Sequence, residues 1–266
     1  MPDSYPTQAV RIAMVQANLY WEDKASNRMH LSELLSSIAP RETDVIVLPE
    51  MFDTAFSMNA AELAVEGEEE SLDWMKAIAK EKEAVVTGSL MVKVSGSYYN
   101  RLYWVFPEGN YQHYDKRHLF GLMNEDEVFR AGSERVIVRW KSWRFCLQVC
   151  YDLRFPVWSR YQGDYDALLY VANWPERRVY AWQQLLCARA IENQAYVIGV
   201  NRVGKDGNEI PFTGSSMTYD PLGKPLSAIV SGKETICHVK LQATALEKIR
   251  KGLPFFKDAD HFNIDN

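Results

Sequence analysis

Two periods organise the apolar and polar positions along the chain. Residues 9–17 (AVRIAMVQA) alternate and predict a strand, whereas residues 24–38 bring Met29, Leu31, Leu34, Leu35 and Ile38 mostly to one side of a helix. Residues 44–48 form a short apolar strand that Pro49 ends. Residues 71–83 return to helical spacing with Leu72, Met75, Ile78 and Ala79. The acidic run before them, Glu66 to Glu70, suits a helix N-terminus and reads as a solvated loop rather than a metal site.

Strand-length segments recur after that point. Residues 84–94 and 98–106 form a hairpin across Ser95-Gly96-Ser97, and Pro107-Glu108-Gly109-Asn110 marks another turn. Further strands are expected at 136–140, 144–149, 166–172 and 195–200, with a helix from about 178 to 193. The last third turns at Lys205-Asp206-Gly207-Asn208 and at Pro221-Leu222-Gly223. Strands near 224–230 and 234–241 follow, then a helix over 243–250 and a tail from about residue 252. No internal repeat or low-complexity linker divides the chain. Hairpins mixed with crossover helices predict one α/β domain over residues 1–266. Two stacked sheets between helix layers suit the number of strands; a single doubly wound sheet is the competing arrangement.

Composition narrows the function. The chain has 266 residues, 47% hydrophobic and 24% charged, which excludes disorder, collagen and coiled coil. Its 30 basic and 35 acidic side chains give a net charge of −5, so no basic surplus serves nucleic acid. No apolar run approaches the ~20 residues that span a bilayer. Met1-Pro2-Asp3-Ser4 has neither the basic start nor the apolar stretch of a signal peptide. Cysteines 146, 150, 187 and 237 form no CxxC pair and suggest reduced thiols in the cytoplasm. Histidines 30, 113, 118, 238 and 261 show no metal-ligand spacing.

Ligands of α/β folds bind beyond the carboxyl ends of strands, and three reactive side chains stand there. Glu50 follows Val45-Ile46-Val47-Leu48-Pro49, Lys116 follows Tyr111-Gln112-His113-Tyr114-Asp115, and Cys150 follows Phe145-Cys146-Leu147-Gln148-Val149. A carboxylate can take a thiol's proton as general base. A lysine can lower the thiol pKa and bind an oxyanion, with the backbone N–H of Tyr151 as a second donor. A buried thiol, a surface lysine and a loop-capping glutamate fit the same positions, and residue type alone leaves both readings open. His118 is read as a neighbour of Lys116 rather than the base, and Cys146, Cys187 and Cys237 as packing.

The blocks Val47-Leu48-Pro49-Glu50-Met51-Phe52, Tyr114-Asp115-Lys116-Arg117-His118-Leu119-Phe120 and Val149-Cys150-Tyr151-Asp152-Leu153-Arg154-Phe155-Pro156 resemble the three signature blocks of the nitrilase (carbon–nitrogen hydrolase) superfamily, in its order. The resemblance continues through Ala172-Asn173-Trp174-Pro175 and residues 188–196 and covers nearly the whole chain. It implies a four-layer α-β-β-α sandwich with Glu50 as general base, Lys116 as oxyanion stabiliser and Cys150 as nucleophile. It also implies a second glutamate beside the lysine, for which Glu125 fits better than Glu127. The reaction implied is amide hydrolysis through a cysteine thioester, with no metal or organic cofactor, in a homodimer or larger homo-oligomer.

Within the superfamily the chain looks most like the omega-amidase group, which implies 2-oxoglutaramate and 2-oxosuccinamate as substrates. Other hydrolases of the fold (a nitrilase or an N-carbamoyl amidase) and a non-catalytic binding protein are the alternatives. A substrate with a free carboxylate needs a cation. Arg154 is the candidate, set against an internal ion pair with Asp152 or a glutamate. Phe120, Trp174 and Phe129 are candidate pocket walls. Arg177 and Arg178, just after Trp174, are weighed as partners of an acidic substrate, with a solvated loop pair as the preferred reading.

Overall fold

Alternate side chains of the first strand, β1 (Val10–Gln16), enter two different cores. Val10, Ile12 and Met14 join one apolar cluster, Ala13 and Val15 another. Successive side chains of a strand face opposite ways, so a strand apolar on both faces must be covered twice. The computed structural model, which describes residues 5–64, 66, 70–227, 231–260 and 262–264, supplies both covers.

The strands that follow are β2 (Val45–Val47), β3 (Val85–Val94), β4 (Ser97–Val105), β5 (Tyr111–Asp115), β6 (Ile137–Trp140) and β7 (Trp143–Val149). Then come β8 (Ala167–Ala172), β9 (Tyr196–Asn201), β10 (Val203–Lys205), β11 (Pro211–Thr213), β12 (Met217–Tyr219) and β13 (Thr235–Leu241). They form one sheet ordered β13-β1-β2-β3-β4-β5, a second ordered β12-β9-β8-β7-β6, and a separate β10-β11 pair. Two distinct sheets rule out the single doubly wound sheet. The helices are α1 (Lys24–Leu35), α2 (Ala60–Leu63), α3 (Glu70–Lys82), α4 (Glu125–Val128), α5 (Pro156–Ser159), α6 (Val179–Asn193) and α7 (Ala243–Gly252).

Packing makes these elements four layers. Val47, Trp104 and Tyr114 of the first sheet meet Phe145, Leu169 and Ile198 of the second in one buried cluster. Leu31, Leu35, Leu72, Met75 and Ile78 bring α1 and α3 onto the outer face of the first sheet. Trp182, Leu186 and Ala190 bring α6 onto the outer face of the second. That approach is close: a Cβ on Gly199 of β9 would lie 2.5 Å from Leu186. The fold is therefore the α-β-β-α sandwich that the resemblance implies. Among the described residues no helix is long and apolar enough to cross a membrane.

Strand direction places the chemistry. β2 runs parallel to β3, and two antiparallel steps through β4 give β5 the same direction. Chain segments leaving β2 and β5 therefore emerge at the same edge of the sheet, as do those leaving the parallel strands β7 and β8 in the other.

Some local expectations need correction. Met29 is 66% exposed, because α1 turns it away from the sheet, and α1 stops at Leu35, short of the buried Ile38. The strand expected near 224–230 is reduced to a single bridge between Pro225 and Tyr219, and residues 228–230 lie outside the described residues. Proline has no N–H to extend a ladder. Of the acidic run, Gly67, Glu68 and Glu69 also lie outside them; Glu66 accepts the Ser95 N–H and Glu70 pairs with Arg28. The residues that start the chain, 1–4, and His261 are likewise outside the described residues.

Candidate active site

Glu50, Lys116 and Glu125 meet in a fully buried cluster. The chain leaving β2 stays beside β3, since Leu48 N–H donates to the Thr87 carbonyl, and this delivers Glu50 to the sheet edge. Lys116, next after β5, donates its backbone N–H to Asn100 O and accepts Gly132 N–H on its carbonyl. Its Nζ donates to Glu50 Oε1 at 2.9 Å and to Glu125 Oε1 and Oε2 at 2.9 and 2.8 Å. Glu125 opens α4, and Phe120 N–H donates to its Oε2 at 2.6 Å. Glu127 is exposed, so Glu125 is the glutamate that meets the lysine.

Cys150 follows β7 with φ of 45°, in the left-handed region that a side chain rarely adopts, and starts a short 3₁₀ turn. Asp152 in that turn accepts Val149 N–H at 2.9 Å, the Tyr114 hydroxyl at 2.8 Å, and His118 through N at 2.9 Å and Nδ1 at 2.8 Å. His118 is thereby committed to Asp152 and stacked on Phe155, 3.8 Å between ring centroids.

The electrostatics follow from burial and proximity. Burial alone would push the Lys116 ammonium toward neutrality; the charges of Glu125 and Glu50 outweigh it and hold its pKa above the ordinary lysine value. Burial pushes the Glu125 carboxyl up despite Lys116. Burial and then the Glu50 carboxylate hold the Cys150 thiol well above its usual range, against the pull of Lys116. The resting thiol is therefore neutral, and a nucleophile forms only when a base takes its proton. If that base is Glu50, the proton moves within the cluster and the buried net charge does not change.

Cys150 and Lys116 open onto a cavity that Tyr151, Phe120, Trp174 and Arg154 also line. The Arg154 guanidinium lies over the Trp174 ring, 4.9 Å from its centroid. It makes no ion pair with Asp152, whose oxygens are taken by the donors above. Arg177 and Arg178, expected as a solvated loop pair, both line the cavity wall, with Arg177 exposed and Arg178 half-buried. Phe129 is not part of the lining. The α4 turn that aims Glu125 at Lys116 leaves Phe129 at its foot, packed with Met51, Ala60 and Met91.

The carbon-nitrogen hydrolase family model matches residues 11–251. The chain belongs to the carbon–nitrogen hydrolase family. It is 46% identical over 253 residues to the omega-amidase YafV of Yersinia enterocolitica, covering 95% of this chain and 98% of that one. It is 34% identical over 240 residues to the 2-oxoglutaramate amidase of Bacillus subtilis, covering 88% and 92%. A crystal structure of a superfamily protein from Xanthomonas campestris, with an arsenic adduct in its active site, matches with a TM-score of 0.94 at 40% identity, covering 97% and 100%.

Two site residues of this carbon–nitrogen hydrolase escaped the sequence reading. Asn100 Nδ2 donates to Glu50 Oε1 at 2.9 Å and to Glu125 Oε1 at 3.2 Å, bridging the two carboxylates. Asn173 N–H donates to Glu50 Oε2 at 2.8 Å. Asn173 follows β8 as Cys150 follows β7, so the strand-end rule could have found it. Asn100 sits inside β4, where the signal was a lone amide in a largely apolar and aromatic strand. The other thiols lie elsewhere in the hydrolase: Cys146 is buried in the outer core of the second sheet, its pKa pushed up to about 11 by burial, Cys187 is in α6 and Cys237 in β13.

Proposed function

We propose that this hydrolase is an omega-amidase. It releases ammonia from the distal amide of a dicarboxylate monoamide, such as 2-oxoglutaramate or 2-oxosuccinamate. Glu50 accepts the Cys150 proton as sulfur attacks the amide carbon, and the C=O electron pair moves onto oxygen. Lys116 and the Tyr151 N–H hold that oxyanion, while Glu125 keeps Lys116 in place. The oxyanion collapses, the C–N bond breaks, and Glu50 returns its proton to the departing nitrogen. Water, deprotonated by Glu50, then attacks the thioester; the C–S bond breaks and the thiol is restored with a carboxylic acid as product.

The observation that carries this reading is one cavity lined both by the thiol and lysine and by an unpaired arginine. Cys150 and Lys116 line it, with Glu50 and Glu125 buried against the Lys116 ammonium, and Arg154, without a carboxylate partner among the described residues, lines it too and stands ready for a substrate carboxylate. Phe120 and Trp174 add apolar surface to the same cavity. The amidase names of the relatives above support the same substrate class. We read residues 1–266 as one hydrolase domain acting in the cytoplasm as a homodimer or larger homo-oligomer. Exposed Tyr180 and Ile191 on α6 give it apolar surface for self-association.

The test is ammonia release from 2-oxoglutaramate, 2-oxosuccinamate, succinamate, aliphatic amides, nitriles and carbamoyl amino acids, with Cys150→Ala alongside. Turnover confined to the dicarboxylate monoamides and abolished in Cys150→Ala is expected. Cysteine-dependent turnover of nitriles or carbamoyl compounds alone would refute the substrate and keep the mechanism.

A further inference from the structure

We propose that Arg178 is a specificity-determining residue that grips the substrate's free carboxylate together with Arg154 and selects anionic over neutral amides. The proposal deepens the omega-amidase reading and rests on it.

Both guanidiniums line the cavity that holds Cys150, and neither forms an ion pair among the described residues. Each is instead laid on an aromatic ring of the same cavity, Arg154 over Trp174 at 4.9 Å and Arg178 over Phe120 at 5.0 Å. A guanidinium held over a ring face keeps N–H donors that a carboxylate can take. One residue sets both: Trp174 carries Arg154 on its face, and its Nε1 donates to the Arg178 carbonyl at 2.7 Å.

The charges around Arg178 make it receptive to an anion. Burial and then the neighbouring Arg177 push its pKa down, Arg154 adds to that, and Cys150 and Tyr151 act against it. Asp206 also lines the cavity; its Oδ1 accepts the N–H groups of Asn208 and Ile210 at 2.8 and 3.0 Å, and it forms no ion pair with Arg154 or Arg178 among the described residues. A half-buried cation facing like charges gains most from a ligand that brings a negative charge. The acidic cluster of Glu50 and Glu125 beneath Lys116 would repel that charge, which orients the substrate: amide toward Cys150, carboxylate toward the arginines.

Wild type, Arg178→Gln and Arg178→Lys are assayed on succinamate and on succinamide, its neutral counterpart. In Arg178→Gln the ratio of kcat/KM for succinamate to that for succinamide should fall about 10- to 100-fold, the scale of a lost hydrogen bond to a charged group, and through KM. Arg178→Lys, with the charge but no planar fork, should fall between. An unchanged ratio overturns the proposal, because loss on both amides alike reports only a structural role.

A second readout needs no turnover. Glutarate should protect Cys150 of the wild type from iodoacetamide, at concentrations about tenfold lower than Arg178→Gln requires. Equal protection of both proteins, or protection of neither, also overturns it. Glutarate protection that depends on Arg178, in a wild type inactive on every dicarboxylate monoamide, would refute the omega-amidase reading and leave the carboxylate grip standing. Activity on those amides with unchanged ratios would do the reverse.

Discussion

The Tyr114 hydroxyl donates to Asp152 Oδ2 at 2.8 Å, and this bond ties the segment of Lys116 to that of Cys150. Tyr114 lies just before Lys116 in sequence, and Asp152 just after Cys150. The same carboxylate also accepts Val149 N–H and both His118 donors, so one buried side chain is bonded to the segments around both Lys116 and Cys150. Burial and the Asp152 charge raise the Tyr114 pKa well above its usual value, so the hydroxyl stays a donor at any working pH.

Asp152→Asn keeps the shape and removes the charge, and it turns an acceptor oxygen into a donor that faces other donors. We expect a stability loss of about 3 kcal/mol in urea unfolding, the scale of charge-assisted bonds broken in the interior. kcat should fall more than KM rises, because the distance between Lys116 and Cys150 loosens. Unchanged stability would show that Asp152 is not the tie.

Lys116→Ala should give a stability that rises as pH falls. In the wild type the folded Lys116 pKa lies above the unfolded value, so its contribution is complete below about 10.4 and is lost only as pH climbs through the folded value. Without the ammonium, Glu125 is buried beside a second carboxylate with no cation, and its pKa, already raised, goes higher. The folded state then binds a proton that the unfolded state has released above about pH 4.3. The penalty, about 3–5 kcal/mol at pH 8, should shrink toward pH 5. Urea midpoints measured from pH 5 to 8 check this; a variant that weakens with acidification contradicts it.

Much of this was legible because burial leaves a pattern. The alternation in β1 announces a strand and the fully apolar β8 a strand covered on both faces, and α3 shows its core face through Leu72, Met75 and Ile78. The three-residue strands β10, β11 and β12 and the one-turn helices α2, α4 and α5 are too short for any period to register. Side-chain direction was the other limit. Arg154 and Arg178 differ from ordinary surface arginines only in having aromatic rings, not carboxylates, beneath them, and those rings come from distant segments. Phe129 failed as a pocket wall for the same reason: closeness in sequence to Glu125 says nothing about which side of a one-turn helix it packs on.

Gly132→Ala should damage the site from behind. An added Cβ would lie 2.1 Å from the Asp115 carbonyl oxygen, a backbone atom that cannot swing away. The same residue donates its N–H to the Lys116 carbonyl at 2.9 Å, so relief of the clash must displace the lysine. We expect a destabilisation of about 1–3 kcal/mol, as for overpacking, with a loss of kcat at temperatures where the protein is still folded. Thermal unfolding with wild-type midpoint would show that the strand yields without cost.

Glu125→Gln should separate thiol reactivity from turnover. The Glu125 charge helps to hold the Cys150 thiol above its usual range, together with burial and Glu50. Removing that charge lowers the thiol pKa, so iodoacetamide should label Cys150 faster in the variant at pH 8.5. Catalysis should move the other way, since Lys116 keeps at most one neutral oxygen of the two carboxylate oxygens it had from Glu125 and is held less firmly for the proposed oxyanion contact. A fall in kcat of about 10²–10³ is expected, the scale for losing one oxyanion donor. Faster labelling with slower turnover would mean that Glu125 serves the lysine and not the thiol. Slower labelling together with slower turnover would mean instead that Glu125 helps to deprotonate Cys150, and the division of labour between the two glutamates would have to be redrawn.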